Sequence, residues 1–189
     1  MKTLIHVLAM AALVAGIVHI TTVLLLPAYA QRDAWAFVTQ SAKPNEMALV
    51  VESWSRRAPQ GVSALRTDPS MAVAICRFDL TQGPVLVEAE GDVPFWSASV
   101  FDSTGRNVFS INDRTAVDDA LSAVLLTPAQ DARLREAPVT GVEGALRVTS
   151  TVEQGFVVLR ANAPDRTLSA RAEAFLQDAS CEPLRIETG

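Results

Sequence analysis

The stretch FWSASVFDSTGRNVFSINDR, Phe95 to Arg114, constrains the fold more than any other part of the chain. Phe95, Ser97, Ser99 and Phe101 fall on one face of an extended strand and Trp96, Ala98 and Val100 on the other, because side chains alternate with period two. Asp102-Ser103-Thr104-Gly105 supplies the turn: an Asp side chain bonds the backbone two residues on, and Gly accepts a positive φ. Val108, Phe109 and Ile111 form the return strand, and Asn112-Asp113-Arg114 closes it. A β-hairpin this clear predicts an antiparallel sheet.

Other segments extend that reading. Met47–Trp54 is apolar enough for a strand, and residues 55–69, beginning with Arg56 and Arg57, read as a polar loop. Met71–Leu80 alternates, with Ala72, Ala74, Cys76, Phe78 and Leu80 on one face and Val73, Ile75, Arg77 and Asp79 on the other. Val85–Ala89 is a short strand. Ala145–Val152 and Gly155–Ala161 flank Glu153-Gln154 and predict a second hairpin. Thr127 can cap a helix running to Glu136, with Pro128 suited to its first turn. Asp165–Ser180 places Leu168, Ala172, Phe175, Leu176 and Ala179 at helical spacing, and this helix is expected to end at Cys181. About seven strands with turns between them predict an α+β domain, mainly antiparallel β and sandwich-like, with a C-terminal helix.

The N-terminus is different in kind. Leu4–Leu26 is a run of 23 residues without a formal charge. As a helix it measures about 34 Å against a hydrocarbon core of about 30 Å. One transmembrane helix is therefore expected over residues 1–30, ahead of an extracytoplasmic domain of residues 31–189. Lys2 and the terminal amine precede the run, and Arg32 after it is offset by Asp33, which puts the N-terminus in the cytoplasm. Ala28-Tyr29-Ala30 also has the small-x-small form of a signal-peptide cleavage site, with Gln31 as the new terminus. The run exceeds the 7 to 15 residues of an ordinary signal core, so a retained anchor is the preferred reading. Residues 29–42 continue as a helix with Tyr29 and Trp35 suited to the membrane boundary, until Pro44 and Asn45 interrupt it. His6 and His19 lie inside the apolar run, thirteen positions apart, too far to share one ion. At membrane depth such groups hint at function or at a helix partner; neutral imidazoles bonded to a nearby backbone carbonyl or to headgroup water are the preferred reading.

Cys76 and Cys181 are the only two cysteines, and both fall on the exported side, where a disulfide between them is expected. Two buried thiols are the alternative. The formal charge is −5, and removing the +1 of Lys2, the one charged residue before position 31, leaves −6 for the domain. Such a surface argues against nucleic acid as a partner.

Beyond residue 30 there is no histidine and no tyrosine, and Lys43 is the one lysine. Ser-His-Asp and Cys-His sites and a His-ligated zinc site cannot be assembled there. No glycine-rich phosphate loop occurs, and nothing points to a cofactor. Carboxylates such as Asp79, Asp102 and Asp113 could hydrolyse a glycoside, yet each has a structural use: Asp79 beside Arg77, Asp102 in a turn, Asp113 beside Arg114. Asp113, Asp118 and Asp119 match no calcium-loop spacing. The composition favours a non-enzymatic role, with Trp35, Trp54, Phe95 and Trp96 as interface aromatics if exposed and core residues otherwise. The alternative is a module binding an envelope sugar or small ligand, or a carboxylate hydrolase, with Arg77, Asp79, Trp96, Asn112, Asp113 and Arg114 lining the site.

Several segments together resemble a known family. The apolar run ending in Leu26-Pro27-Ala28-Tyr29-Ala30 with Asp33-Ala34-Trp35 after it, the strand Ile75-Cys76-Arg77-Phe78-Asp79-Leu80, the hairpin from Phe95-Trp96-Ser97 to Asn112-Asp113-Arg114, and Gly155-Phe156-Val157-Val158-Leu159-Arg160 are similar to short bacterial membrane proteins of the domain of unknown function 1254. The hairpin also resembles the associated domain of unknown function 1214. The resemblance implies an envelope protein of the cytoplasmic membrane, its domain on the periplasmic side, beside a second small membrane protein of the companion family. It carries no catalytic residues.

Overall fold

The structure, a computed structural model, describes residues 2–51, 68–137 and 139–184. The expectations for Trp54, for Arg56 and Arg57, and for the end of the first strand and the loop after it lie outside those residues. The chain divides into two compact units, Met1–Ala34 and Trp35–Gly189.

Helix α1 spans Lys2–Ser41 and continues through Pro27. Its stretch Lys2–Leu26 is long and apolar enough to cross a membrane. From Leu4 to Leu26 its large apolar side chains are exposed. Polar side chains there turn back onto the helix: the Thr22 hydroxyl donates to the Val18 carbonyl at 2.8 Å, and His6 Nδ1 lies 2.8 Å from the Lys2 carbonyl.

The second unit is a sandwich of two sheets. Five antiparallel strands form the first: β1 (Met47–Val51), β2 (Met71–Asp79), β4 (Trp96–Asp102), β5 (Asn107–Asn112) and β8 (Gln154–Asn162), in the order β1-β2-β8-β4-β5. Four form the second: β3 (Val85–Ala89), β6 (Leu121–Leu126), β7 (Leu146–Thr149) and β9 (Ser180–Pro183), in the order β7-β6-β3-β9. Among the described strands β6 and β7 are the one parallel pair, joined across helix α2 (Pro128–Glu136). Thr127 and Gln130 close the expected cap of α2 reciprocally, and Gln130 also donates to the Leu80 carbonyl at 2.7 Å, anchoring the helix beside β2.

Alternation decides what lies between the sheets. Ala72, Ala74, Cys76 and Phe78 of β2, Trp96, Ala98 and Val100 of β4, and Val157 and Leu159 of β8 point inward to meet Val85, Val87, Leu121, Ala123 and Leu125. Helix α3 (Ser169–Asp178) adds Ala172, Phe175 and Leu176 to the same core. The opposite face of β2 and β8 carries Val73, Ile75, Phe156 and Val158, and the end of α1 covers it with Trp35, Val38 and Ala42. Trp35 and Phe156 have ring centroids 6.2 Å apart.

Three expectations are corrected. β7 and β8 are not a hairpin but belong to different sheets: Ser150, buried, turns the chain between them, its amide donating to the Leu126 carbonyl of β6. The C-terminal helix stops at Asp178, and Cys181 sits in strand β9. The strands number nine among the described residues, because β6 and β9 were not foreseen. The Cys76–Cys181 disulfide is formed, with Cα atoms 6.3 Å apart, and it joins β2 of one sheet to β9 of the other.

Candidate binding surface

The hairpin is built as its alternation requires, and its turn is organised by one carboxylate. Asp102 is fully buried and accepts from the Thr104 amide and hydroxyl and from the Arg106 amide and Nε, with Arg106 Nη2 at 2.9 Å from Oδ2. Burial pushes its pKa up, but the bonds from Thr104 and Arg106 outweigh that and hold it below the ordinary carboxylate range. Gly105 takes φ +79°, the left-handed conformation the turn needs. Asp102 is thus structural.

The six residues expected to line a site fall into two groups. Arg77 and Asp79 share the outer face of β2, where Asp79 pairs with Gln154 of β8. The Asp79 carboxylate accepts from the Thr81 hydroxyl and amide and from Gln154 Nε2, which lower its pKa, with Thr81 the main cause and the Arg77 charge a minor one. Trp96 and Asn112 lie toward the other end. In β8, Gln154 and Phe156 stand opposite Asp79 and Arg77, whereas Ala161 stands opposite Trp96. At about 3.3 Å per residue, five to seven residues put some 17 to 23 Å between the groups along the sheet. One small-molecule site cannot contain all six.

The second group borders a cleft of about 410 Å³ lined by Glu90, Gly91, Asp92, Val93, Trp96, Asp113 and Asp119. Trp96 closes its floor, 1% exposed, with its ring stacked on Phe175 at 6.3 Å and its Nε1–H donating to the Asp119 carbonyl at 2.9 Å. A ring so buried offers no face for a sugar to stack on. Asn112 caps the turn Asp113–Thr115, its side chain engaged by the Thr115 hydroxyl. Arg114 is exposed. The wall is acidic: Asp92 meets Arg171 at 3.2 Å, while Asp113 Oδ1 is buried without a hydrogen-bond partner. Among the described residues no three His, Cys, Asp or Glu side chains are placed to hold one metal ion. Glu90 and Asp92 were missed from sequence, although Glu88, Glu90 and Asp92 alternate just ahead of Pro94.

Next to this cleft, the loop of residues 113–120 also borders a groove of about 620 Å³. Ile111 of β5, Thr115, Ala116, Val117, Ala120, Ser122 of β6 and residues 143–147 leading into β7, Glu143 among them, line it. Both sheets end here, β5 at one edge and β7 at the other.

Of the interface aromatics, Trp96 is core, Trp35 is packed on the outer sheet face, and Phe95 is half-buried.

The architecture is a disulfide-tied two-sheet sandwich following a long apolar helix, with an acidic cleft and a groove at one edge. Residues 56–183 match the family described as protein of unknown function (DUF1254), and the chain belongs to that family. No curated protein matches it. Among solved structures it is similar to the VPA0106 protein from Vibrio parahaemolyticus, at 12% identity and a TM-score of 0.55 over 83% of this chain. It also matches an uncharacterized protein from Burkholderia cenocepacia at 13% identity and a TM-score of 0.48 over 90% of this chain. The chain spans 36% of the length of the first and 44% of the second. The likeness to the Vibrio protein is one of fold.

Proposed function

We propose that this chain is a single-span envelope protein, held in the bacterial cytoplasmic membrane by Lys2–Leu26 with its N-terminus inside. Its sandwich then lies on the periplasmic side, where it serves as a non-enzymatic component of a complex with a second small membrane protein of the companion family. The observation that carries this reading is the Cys76–Cys181 disulfide in a chain headed by a 25-residue apolar helix. Disulfides persist in oxidising compartments, and a helix of that length needs a lipid phase or removal. The poverty of the domain in proton-transfer groups supports assembly over catalysis, with no histidine or tyrosine after residue 30.

The acid-lined cleft beside Trp96 supports a second reading, a module binding a small cationic ligand. Arg77 and Asp79 take no part in it.

Fractionation of native membranes tests the first reading. Gentle crosslinking, alkaline extraction and mass spectrometry should find the chain retained in the membrane with Met1 or Lys2 intact. Protease should reach the sandwich only after the outer membrane is opened, and a stoichiometric membrane partner should be present. A soluble chain beginning at Gln31 with no partner would overturn the proposal.

A further inference from the structure

We infer that the groove between the β5 and β7 edges is the docking surface for an extended apolar segment of a second protein, one flanked by lysine or arginine. The inference rests on the assembly role proposed above and names its contact surface.

Two side chains carry it. Among the described residues after α1, the exposed large hydrophobic side chains are Val117, at 78%, and Leu146, at 37%, and both line this groove. Isolated exposed apolar residues need no explanation, but two converging on one concavity do. Leu146 is the more telling. In the parallel pair β6·β7 it stands opposite Ala123, as Val148 stands opposite Leu125, and Ala123, Leu125 and Val148 all point into the core. Leu146 therefore projects from the core-facing side of β7 yet keeps over a third of its surface open to solvent. The core layer is thinly covered at this edge.

The borders of the groove say what shape of occupant closes it. Among the described residues β5 and β7 are edge strands, each with no strand hydrogen-bonded on its outer side, the kind of edge to which a further strand can add. An extended segment can add to one edge and set alternate apolar side chains against Leu146, Ile111 and Val117.

Charge says what chemistry flanks it. The loop of residues 113–120 that supplies Val117 to the groove also supplies Asp113 and Asp119 to the acidic cleft, where Glu90 and Asp92 join them. Among the described residues Arg171 pairs with Asp92, and across the groove Arg147 is engaged by Asp131 at 3.6 Å. Exposed Arg114 offsets one charge of this loop. A basic flank complements the carboxylates that are left. A second copy of this chain, meeting the same patch about a two-fold axis, would set acidic wall against acidic wall. Anionic lipid headgroups meet the same repulsion.

The test uses the full-length chain in its native membranes, with a photo-crosslinking residue at position 117 or 146 and a control at exposed Thr151. Adducts at 117 and 146, absent at 151, should map to an apolar alternating segment of a different polypeptide with Lys or Arg beside it. Val117→Asp combined with Leu146→Asp should lower recovery of that same polypeptide about tenfold or more. Asp113→Asn with Asp119→Asn, which leaves the apolar residues in place, should lower it several-fold at low salt and weaken its salt dependence. Unchanged melting of each variant shows that the sandwich is intact. Adducts to a second copy, to lipid or to nothing, while a partner still co-purifies, overturn the groove assignment and leave the complex standing. Absence of any partner removes both.

Discussion

Gly155 lies flat against the ring of Phe78, in the pair where β8 passes the end of β2. A Cβ on Gly155 would meet the Phe78 ring and the Phe101 carbonyl oxygen at less than van der Waals distance, and the carbonyl is backbone that cannot rotate away. Gly155→Ala should therefore destabilise the domain by about 1 to 3 kcal/mol, as overpacking does. Thermal melting followed by far-ultraviolet circular dichroism reads this. An unchanged midpoint would mean that β8 can shift there at no cost.

The cross-sheet disulfide makes a separate prediction. It closes a loop of 105 positions between Cys76 and Cys181. In the chain-entropy account such a link stabilises by about 4 to 5 kcal/mol. Replacing both cysteines by Ala should lower the denaturant midpoint accordingly, with the slope staying constant or rising, because the unfolded chain without the cross-link exposes more surface. A loss under about 1 kcal/mol would show that the two sheets are held by packing alone.

Asp102 makes the prediction about pH. Its folded pKa is depressed relative to the unfolded chain, where an Asp titrates near 3.9. Stability from this group is therefore present above pH ~4 and is lost as pH falls through the lower folded value. Asp102→Asn keeps the shape, removes the charge facing Arg106, and should cost about 1.5 to 3 kcal/mol at neutral pH. The penalty should shrink below pH 4, and chemical denaturation repeated from pH 2.5 to 7 measures it. A penalty constant across that range would contradict the assignment of Asp102 as an ionised turn anchor.

What was legible in the sequence followed from local chemistry. The β4–β5 hairpin, its Asp102 turn and the Thr127 cap depend on neighbours a few residues apart, and each is where its pattern put it. β6 escaped notice because Leu121–Leu126 is buried at five of six positions, so the alternation that marks a strand is erased. Four-residue β9 is too short to show a period. Glu153-Gln154 reads as a hairpin turn, but β7 pairs with β6 through its backbone, a choice made by partners more than twenty positions away. The same holds for the site. Arg77 and Asp79 were correctly placed on one face, but which end of the sheet they share is decided by register with β8, 75 positions from Asp79 to Gln154.

The position of β8 has a further consequence for how the chain reaches this state. In the five-stranded sheet it separates β1 and β2, which precede it by more than seventy residues, from the β4–β5 hairpin. Synthesis delivers those four strands first, as two pairs with no common neighbour, each with an open edge. The long-range contacts that join them wait for residues 154–162, which places this domain among slow-folding, non-local topologies. Any chain interrupted before Asn162 holds most of the strands and lacks the one that makes them a sheet. Quality control that captures exposed strand edges would therefore meet this protein early and often, and the late arrival of Cys181 lets its bond to Cys76 record that the last strand has come home.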